Sequence, residues 1–390
     1  MKKIIQQFTI EFQYPVIFTE NVFSSDNSVL TNTILASNPS RKVKAAFIID
    51  QAVGDCHPEL LKQIEAYCLQ SDTLELAIPP LLMRGGETVK NDAQYFFDTL
   101  MIINSAKMDR HAYLIAIGGG ALLDMVGFAA SVGHRGIRHI RIPSTVLAQN
   151  DSGVGVKNGI NYFGKKNFLG TFNPPAAVIN DSQLLTTLDQ RDWIAGIAEA
   201  IKVALLKSPE FFSWIEKNAG LLQSRNLSVM KKLVFWCAQL HLEHIAASGD
   251  PFEQGSSRPL DFGHWSAHKL EQLSNYQIRH GEAVALGLAL DLTYSFIKGY
   301  LAKQEWEIII NCLQRVGLAT FHPLLLEANQ HRINPELLAG LEEFREHLGG
   351  ELSIMLISEI GASFEEHEMD CDVLNEAALQ VSKLHLLRAS

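Results

Sequence analysis

Two of the chain's fourteen histidines stand four residues apart in Gly263-His264-Trp265-Ser266-Ala267-His268. At that spacing two imidazoles share one face of a helix. His280 follows a break at Ser274-Asn275-Tyr276 and opens the next apolar run. Glu199 lies among Ala and Ile on a helical stretch that begins near Trp193, with Lys202 one turn on. Two imidazoles and a carboxylate, with no fourth protein ligand, are the donor set of a catalytic zinc that keeps positions open for substrate oxygens. The same spacings also fit packed or solvated histidines, and a surface ion pair for Glu199 and Lys202.

A second group of residues suits phosphates. The apolar run 112–117 leads straight into Gly118-Gly119-Gly120, and an apolar helix with Asp124 in its first turn follows. Glycines let a ligand approach the backbone, and a helix start offers free N–H groups to an anion such as a dinucleotide pyrophosphate. Position 123 is Leu, so the spacing is not GxGxxG. A tight turn without ligand is the other reading. Gly85-Gly86-Glu87 with Lys90 could hold ribose hydroxyls, or be a plain loop.

Residues 135–166 carry Arg135, Arg138, Arg141, Lys157, Lys165 and Lys166, with Asp151 as the only acid. Such a basic island suits a small, multiply charged anion such as a phosphorylated sugar. Residues 149–157 read as a polar, glycine-bearing loop. Lys157 and Lys166 are read as ligand contacts, and Arg138 and Arg141 as a solvated strip.

These residues need a scaffold of about two domains, given 390 residues with 47% apolar and 19% charged content. Short apolar runs at 45–49, 74–78, 112–117, 139–142 and 176–179 alternate with helical stretches, which predicts a mostly parallel sheet. From about Thr187 helical spacing dominates: 193–206, 227–247, 265–273, 282–301 and 306–316, with one strand signal at 352–357. The expected organisation is an α/β domain over 1–185 and a mostly helical domain over 186–390. There are 33 Lys and Arg against 43 Asp and Glu, a net charge of -10, which argues against a general nucleic-acid binder. No apolar run reaches membrane-spanning length, the N-terminus lacks a signal-peptide core, and five scattered cysteines form no CxxC pair. A cytoplasmic protein is expected.

Taken together, GGGALLDMVGFAAS (118–131), RGIRHIRIPSTVLAQNDSGVGVKNGIN (135–161), GKKNFLGTFNPPAAVIND (164–181), AGIAEAIK (195–202) and FGHWSAHKLE (262–271) resemble the dehydroquinate synthase family, the sugar phosphate cyclases. The resemblance runs from about Ala45 to Gly361. It implies a Rossmann-like NAD domain followed by a helical metal domain, with NAD and zinc, or cobalt, as cofactors. The implied reaction oxidises an alcohol of a sugar phosphate, eliminates phosphate, reduces the ketone, opens the ring and closes a carbocycle by aldol addition. The resemblance assigns the metal to Glu199, His264 and His280. It puts His268, Lys157, Lys166, Asn167 and Lys202 in the substrate pocket. Arg135 resembles the arginine that reaches the neighbouring subunit's phosphate, which implies a homodimer. NAD contacts fall on Asp50, Glu87, Lys90, Gly118, Gly119, Gly120, Asp124, Thr145 and Asp151.

The chain departs from dehydroquinate synthases near the substrate. His241 stands for a lysine, Asp261 for an asparagine, and Phe344-Arg345-Glu346 for an Asp-Lys-Lys motif, and 258–264 is one residue shorter. Arg258 keeps one positive charge. An aspartate facing the substrate repels a carboxylate, so a seven-carbon sugar phosphate without a carboxylate is the expected substrate. A true dehydroquinate synthase, a metal-dependent polyol dehydrogenase of the glycerol type, and a scaffold without turnover are the alternatives.

Overall fold

The computed structural model describes residues 1–37, 42–253, 255, 258–329 and 331–389. The chain forms two compact units, Met1–Pro143 with Val156–Asp181, and Ser144–Gly155 with Ser182–Ser390. The division differs from the expected one at residue 185. The stretch 144–155 joins the helical unit, where Asn150 Nδ2 donates to Gly196 O at 2.8 Å.

The first unit is built on seven parallel strands: β1 (Val16–Thr19), β2 (Val43–Asp50), β3 (Leu74–Leu76), β4 (Leu81–Met83), β5 (Tyr113–Gly118), β6 (Arg138–Pro143) and β9 (Ala177–Asp181). The order is β1-β9-β6-β5-β2-β3, with β4 also on β2. Every residue of β5 is buried, as a central parallel strand covered on both faces requires. Pairings of Asp50 with Met83 and of Gly118 with Pro143 bring four strand ends to the carboxyl edge of the sheet. That edge is where open α/β sheets bind ligands. The remaining strands, β7 (Lys157–Tyr162) and β8 (Lys165–Phe172), form an antiparallel hairpin of their own.

The second unit is mainly helical, with one small hairpin of β10 (Ile354–Glu359) and β11 (Ala362–Glu366). In the helix Ile197–Lys207 every residue but the last is buried, Glu199 and Lys202 included. A helix that is apolar all round belongs in a core, and this one carries an acid and a base into it. The helices His264–Leu273 and His280–Ile297 cross where Gly263 meets Gly287. A Cβ on Gly287 would lie 2.0 Å from Gly263 O, and Gly263 itself has φ 76°. Only glycine permits both the left-handed turn and the close approach. Among the described residues, no helix is long and apolar enough to cross a membrane.

Candidate active site

Glu199 is fully buried, and both histidines aim at one of its oxygens. His264 Nε2 lies 3.6 Å and His280 Nε2 3.4 Å from Glu199 Oε1, while Lys202 Nζ lies 2.5 Å from Oε2. The ligand atoms of these three residues fall within 4.8 Å of one another. Burial pushes the Glu199 carboxyl up, but the Lys202 ammonium and the two imidazoles beside it outweigh that, and the group sits well below the usual carboxylate range. Burial opposes the charge on Lys202, yet Glu199 and Asp151 raise its pKa. Glu199 is therefore ionised, as a metal ligand must be. The expected alternative of a surface ion pair is ruled out by this burial.

The other ring nitrogen of each histidine is fixed. His264 Nδ1 meets Phe262 O at 3.1 Å, and His280 Nδ1 meets Glu271 Oε2 at 3.0 Å. A carbonyl and a carboxylate only accept, so both Nδ1 atoms carry the proton and both Nε2 lone pairs face Glu199. Glu271 escaped the sequence reading although it stands three residues after His268, on the same helix face. His268 is half-buried and stacks on His280 with ring centroids 5.9 Å apart. With Glu271 and His280 it forms a second, overlapping donor group.

Asp291 holds the His264 helix in place. It is fully buried, accepts from Trp265 Nε1 at 2.9 Å and from Gly263 N at 3.2 Å, and so grips the residues on either side of His264. Burial pushes its pKa up to about 7, against the pull of those two hydrogen bonds.

Asp151 and His241 extend the buried charges. Their Oδ1 and Nδ1 lie 2.8 Å apart. Burial and the nearby Glu199 raise the Asp151 pKa, but His241 and Lys202 win and hold it below its ordinary value. Asp151 thus lies close to Glu199 and Lys202 in the second unit. Thr145 lies in the same unit and caps Ala148 N through Oγ1 at 3.1 Å. Asp261 is half-buried, and its charge reaches Lys202; its carbonyl accepts from His264 N at 3.1 Å. Arg258 Nε lies 3.3 Å from Glu253 Oε2.

In the first unit the strand ends gather the other candidates. Asp50 accepts from Ala52 N at 3.0 Å and from Gly119 N, and burial raises its pKa. Gly85 and Gly118 frame this carboxylate; a Cβ on Gly85 would lie 1.8 Å from Asp50 Oδ2. The helix Gly120–Val132 starts at Gly119 with no side-chain cap, which leaves its start to an anion. Lys90, almost fully buried, reaches Asp124 Oδ2 at 2.8 Å and Asn167 Oδ1 at 2.5 Å. Asn161 Nδ2 donates to Glu87 Oε1 at 2.7 Å, and Asn161 Oδ1 accepts from Asn167 N at 2.8 Å. Glu87, Lys90, Asp124 and the hairpin therefore form one polar network.

Lys157 opens β7 and is exposed, and Lys166 and Asn167 lie on β8. Arg135 is exposed on the tight turn Gly133–Arg135 with φ 63°. Arg141 corrects the sequence reading of a solvated strip. It is fully buried and donates to Lys157 O at 2.8 Å and Asn158 Oδ1 at 2.7 Å, so it fixes the start of the hairpin. Arg138 is half-buried and donates to Tyr113 Oη at 3.2 Å.

The 3-dehydroquinate synthase N-terminal family matches residues 80–195, and the 3-dehydroquinate synthase C-terminal family matches residues 196–335. A 3-dehydroquinate synthase of Halorhodospira halophila is 30% identical over 373 residues, covering 95% of this chain and 97% of its own. One from a Ruegeria species is 33% identical over 348 residues, 87% of this chain and 88% of its own. Among solved structures, ValA, the 2-epi-5-epi-valiolone synthase of Streptomyces hygroscopicus with NAD+ and Zn2+ bound, superposes with a TM-score of 0.85 at 25% identity, covering 98% of this chain and 100% of its own. A probable glycerol dehydrogenase of Sinorhizobium meliloti shares the fold, with a TM-score of 0.61 at 14% identity over 96% of this chain and 99% of its own. With both halves matched and relatives aligned along nearly its whole length, the chain belongs to the 3-dehydroquinate synthase-like family.

Proposed function

We propose that the chain is a carbon–oxygen lyase that eliminates phosphate from a seven-carbon sugar phosphate and closes the remainder into a carbocycle by intramolecular aldol addition. The observation that carries the reading, in a chain of this family, is the hairpin bearing Lys157, Lys166 and Asn167 and tied to Lys90. A polyol dehydrogenase handles an uncharged alcohol and needs no such phosphate cradle.

Glu199, His264 and His280 fit a divalent ion, because their donor atoms converge and both imidazoles offer Nε2. Bound there, zinc, or cobalt in its stead, would polarise the oxygen of the reacting alcohol. The uncapped helix start at Gly119 and the Asp50 carboxylate fit NAD, which would take up a hydride and return it later in the same cycle. ValA, with NAD+ and Zn2+ in its structure, supports both cofactors.

The chain's own residues do the rest. Lys202 keeps Glu199 ionised, and Glu271 fixes the His280 ring. Lys157, Lys166 and Asn167 hold the phosphate through charge-assisted hydrogen bonds. His268, beside both metal histidines, is placed to hold a proton. Asp50, Glu87, Lys90, Asp124, Thr145 and Asp151 serve as NAD contacts. Arg135 serves the phosphate of a neighbouring copy, so the working form is a homodimer in the cytoplasm. Asp261 sets the substrate: at close range in a partly desolvated site it repels a carboxylate, and Arg258 offsets only part of that.

The test compares kcat/KM for sedoheptulose 7-phosphate with that for 3-deoxy-arabino-heptulosonate 7-phosphate. The sugar phosphate without a carboxylate is the expected preference. A preference for the carboxylated one would make the protein a dehydroquinate synthase with a rearranged anion pocket. Net NADH without phosphate release would assign it to the polyol dehydrogenases.

A further inference from the structure

Two elements of the first unit present strand-like apolar surface to solvent. The first is the N-terminal arm. Phe8-Thr9-Ile10-Glu11-Phe12-Gln13-Tyr14 alternates apolar and polar residues without a break, the pattern of a strand with one buried face. Yet residues 1–15 form no strand or helix in the single chain, and every residue from Met1 to Gln13 is exposed. Phe8 is 74% and Ile10 62% exposed. The second element is β8. Among the described residues its one strand neighbour is β7, and six of its eight residues are exposed. Phe163, at the hairpin turn, is 77% exposed and Phe168 is 49% exposed.

The two elements complement each other. Seven arm residues span about 24 Å and the eight of β8 about 27 Å in extended form. Glu11 is the arm's one acid, and Lys165 and Lys166 are the bases of β8. A phenylalanine buries about 150–250 Å². At these exposures, with Phe12 at 53%, Phe8 and Phe12 offer roughly 250 Å² per arm, and Phe163 and Phe168 about as much per hairpin. Two arm–hairpin contacts, exchanged across a two-fold axis, then bury on the order of 1,000 Å², the size at which an interface becomes specific.

We infer that the N-terminal arm of one copy adds as a strand to the open edge of β8 in a second copy, and that the exchange is reciprocal. This rests on the homodimer reading and goes beyond it by naming the surface. Strand addition gives the alternating arm a sheet to join and covers an edge that would otherwise invite aggregation. It also braces the hairpin that bears Lys157, Lys166 and Asn167, so each copy steadies the phosphate cradle of the other.

The experiment is light scattering and sedimentation of the full chain beside Phe8→Glu/Ile10→Glu, with hydrogen exchange on the unaltered protein. The full chain should be a dimer, and the variant should dissociate at a concentration at least 100-fold higher. Amides of residues 8–14 and 165–172 should be protected in the dimer and lose protection together on dilution. A variant with wild-type dissociation overturns the arm exchange and leaves the homodimer standing. A full chain that is monomeric at tens of micromolar overturns both. Should the variant fail to fold, the exchange data decide: arm amides that exchange at unprotected rates in the dimer overturn the inference.

Discussion

Replacing Asp291 by asparagine should remove a pH dependence of stability that runs opposite to that of an ordinary aspartate. The carboxyl is fully buried, and its pKa rises from 3.8 to about 7. The sign follows from proton counting. Between those values the unfolded chain has released the proton and the native chain still holds it, so rising pH favours unfolding. The loss begins near the unfolded pKa and levels off above the folded one. Three units correspond to about 4 kcal/mol in full, of which about 2.5 kcal/mol falls between pH 5 and 8. The asparagine side chain cannot titrate. It also turns an amide toward a donor, Gly263 N or Trp265 Nε1, at a pH-independent cost of about 1–3 kcal/mol. The assay is urea unfolding of both proteins, freed of metal by a chelator, at pH 5, 6, 7 and 8. Histidines and other acids titrate alike in both and cancel in the difference. The stability of the variant relative to wild type should climb by about 2.5 kcal/mol across that range. Parallel profiles, within about 0.5 kcal/mol, would show that Asp291 is ionised in the native state and that the reasoning fails.

Three further outcomes are expected. His264→Ala and His280→Ala should each lose the metal and the activity, whereas Glu271→Gln should keep the metal but bind it about 10–100-fold more weakly, as read by chelator competition; full zinc occupancy in either alanine variant would move the site. Gly119→Val should abolish NAD+ binding, measured by calorimetry, because a side chain blocks the backbone that the pyrophosphate would meet; wild-type affinity would make the turn purely structural. Lys157→Ala should lower turnover tenfold or more, since a charge-assisted hydrogen bond contributes about 1.5–3 kcal/mol; unchanged kinetics in both it and Lys166→Ala would place the phosphate elsewhere.

Much of this was legible in the sequence, and the exceptions share a physical cause. Strands β2, β5 and β9 read as strands because a sheet covered on both faces favours apolar runs, and β6 did so through Ile140 and Ile142 despite His139 and Arg141. The hairpin did not, because β7 and β8 are rich in Lys, Asn and Gly and β8 faces solvent. Its form depends on Arg141, whose burial no local pattern announces: a buried charge is expected only once its partners are known. His264, His268 and His280 were visible through helical spacing. Glu271 and Asp291 were not singled out, since a carboxylate on a helix usually faces water, and only the packing of the His264 helix on the His280 helix turns these two inward. The resemblance gives Asp151 as an NAD contact; what it does not give is the pairing with His241 and the tie of its segment to the helical unit through Asn150. The helix read as continuous over 193–206 breaks at Gly196, which starts a fresh helix two residues before Glu199 enters the core.

On the proposed reaction a hydride leaves and returns while phosphate is expelled. The most direct measurement counts inorganic phosphate released per enzyme-bound NAD+ from sedoheptulose 7-phosphate, with NADH absorbance followed on the same sample. The expected result is many phosphates per NAD+, no accumulation of NADH, and loss of all release when the metal is removed. One phosphate or none per NAD+, with NADH rising in step with substrate consumed, would contradict it.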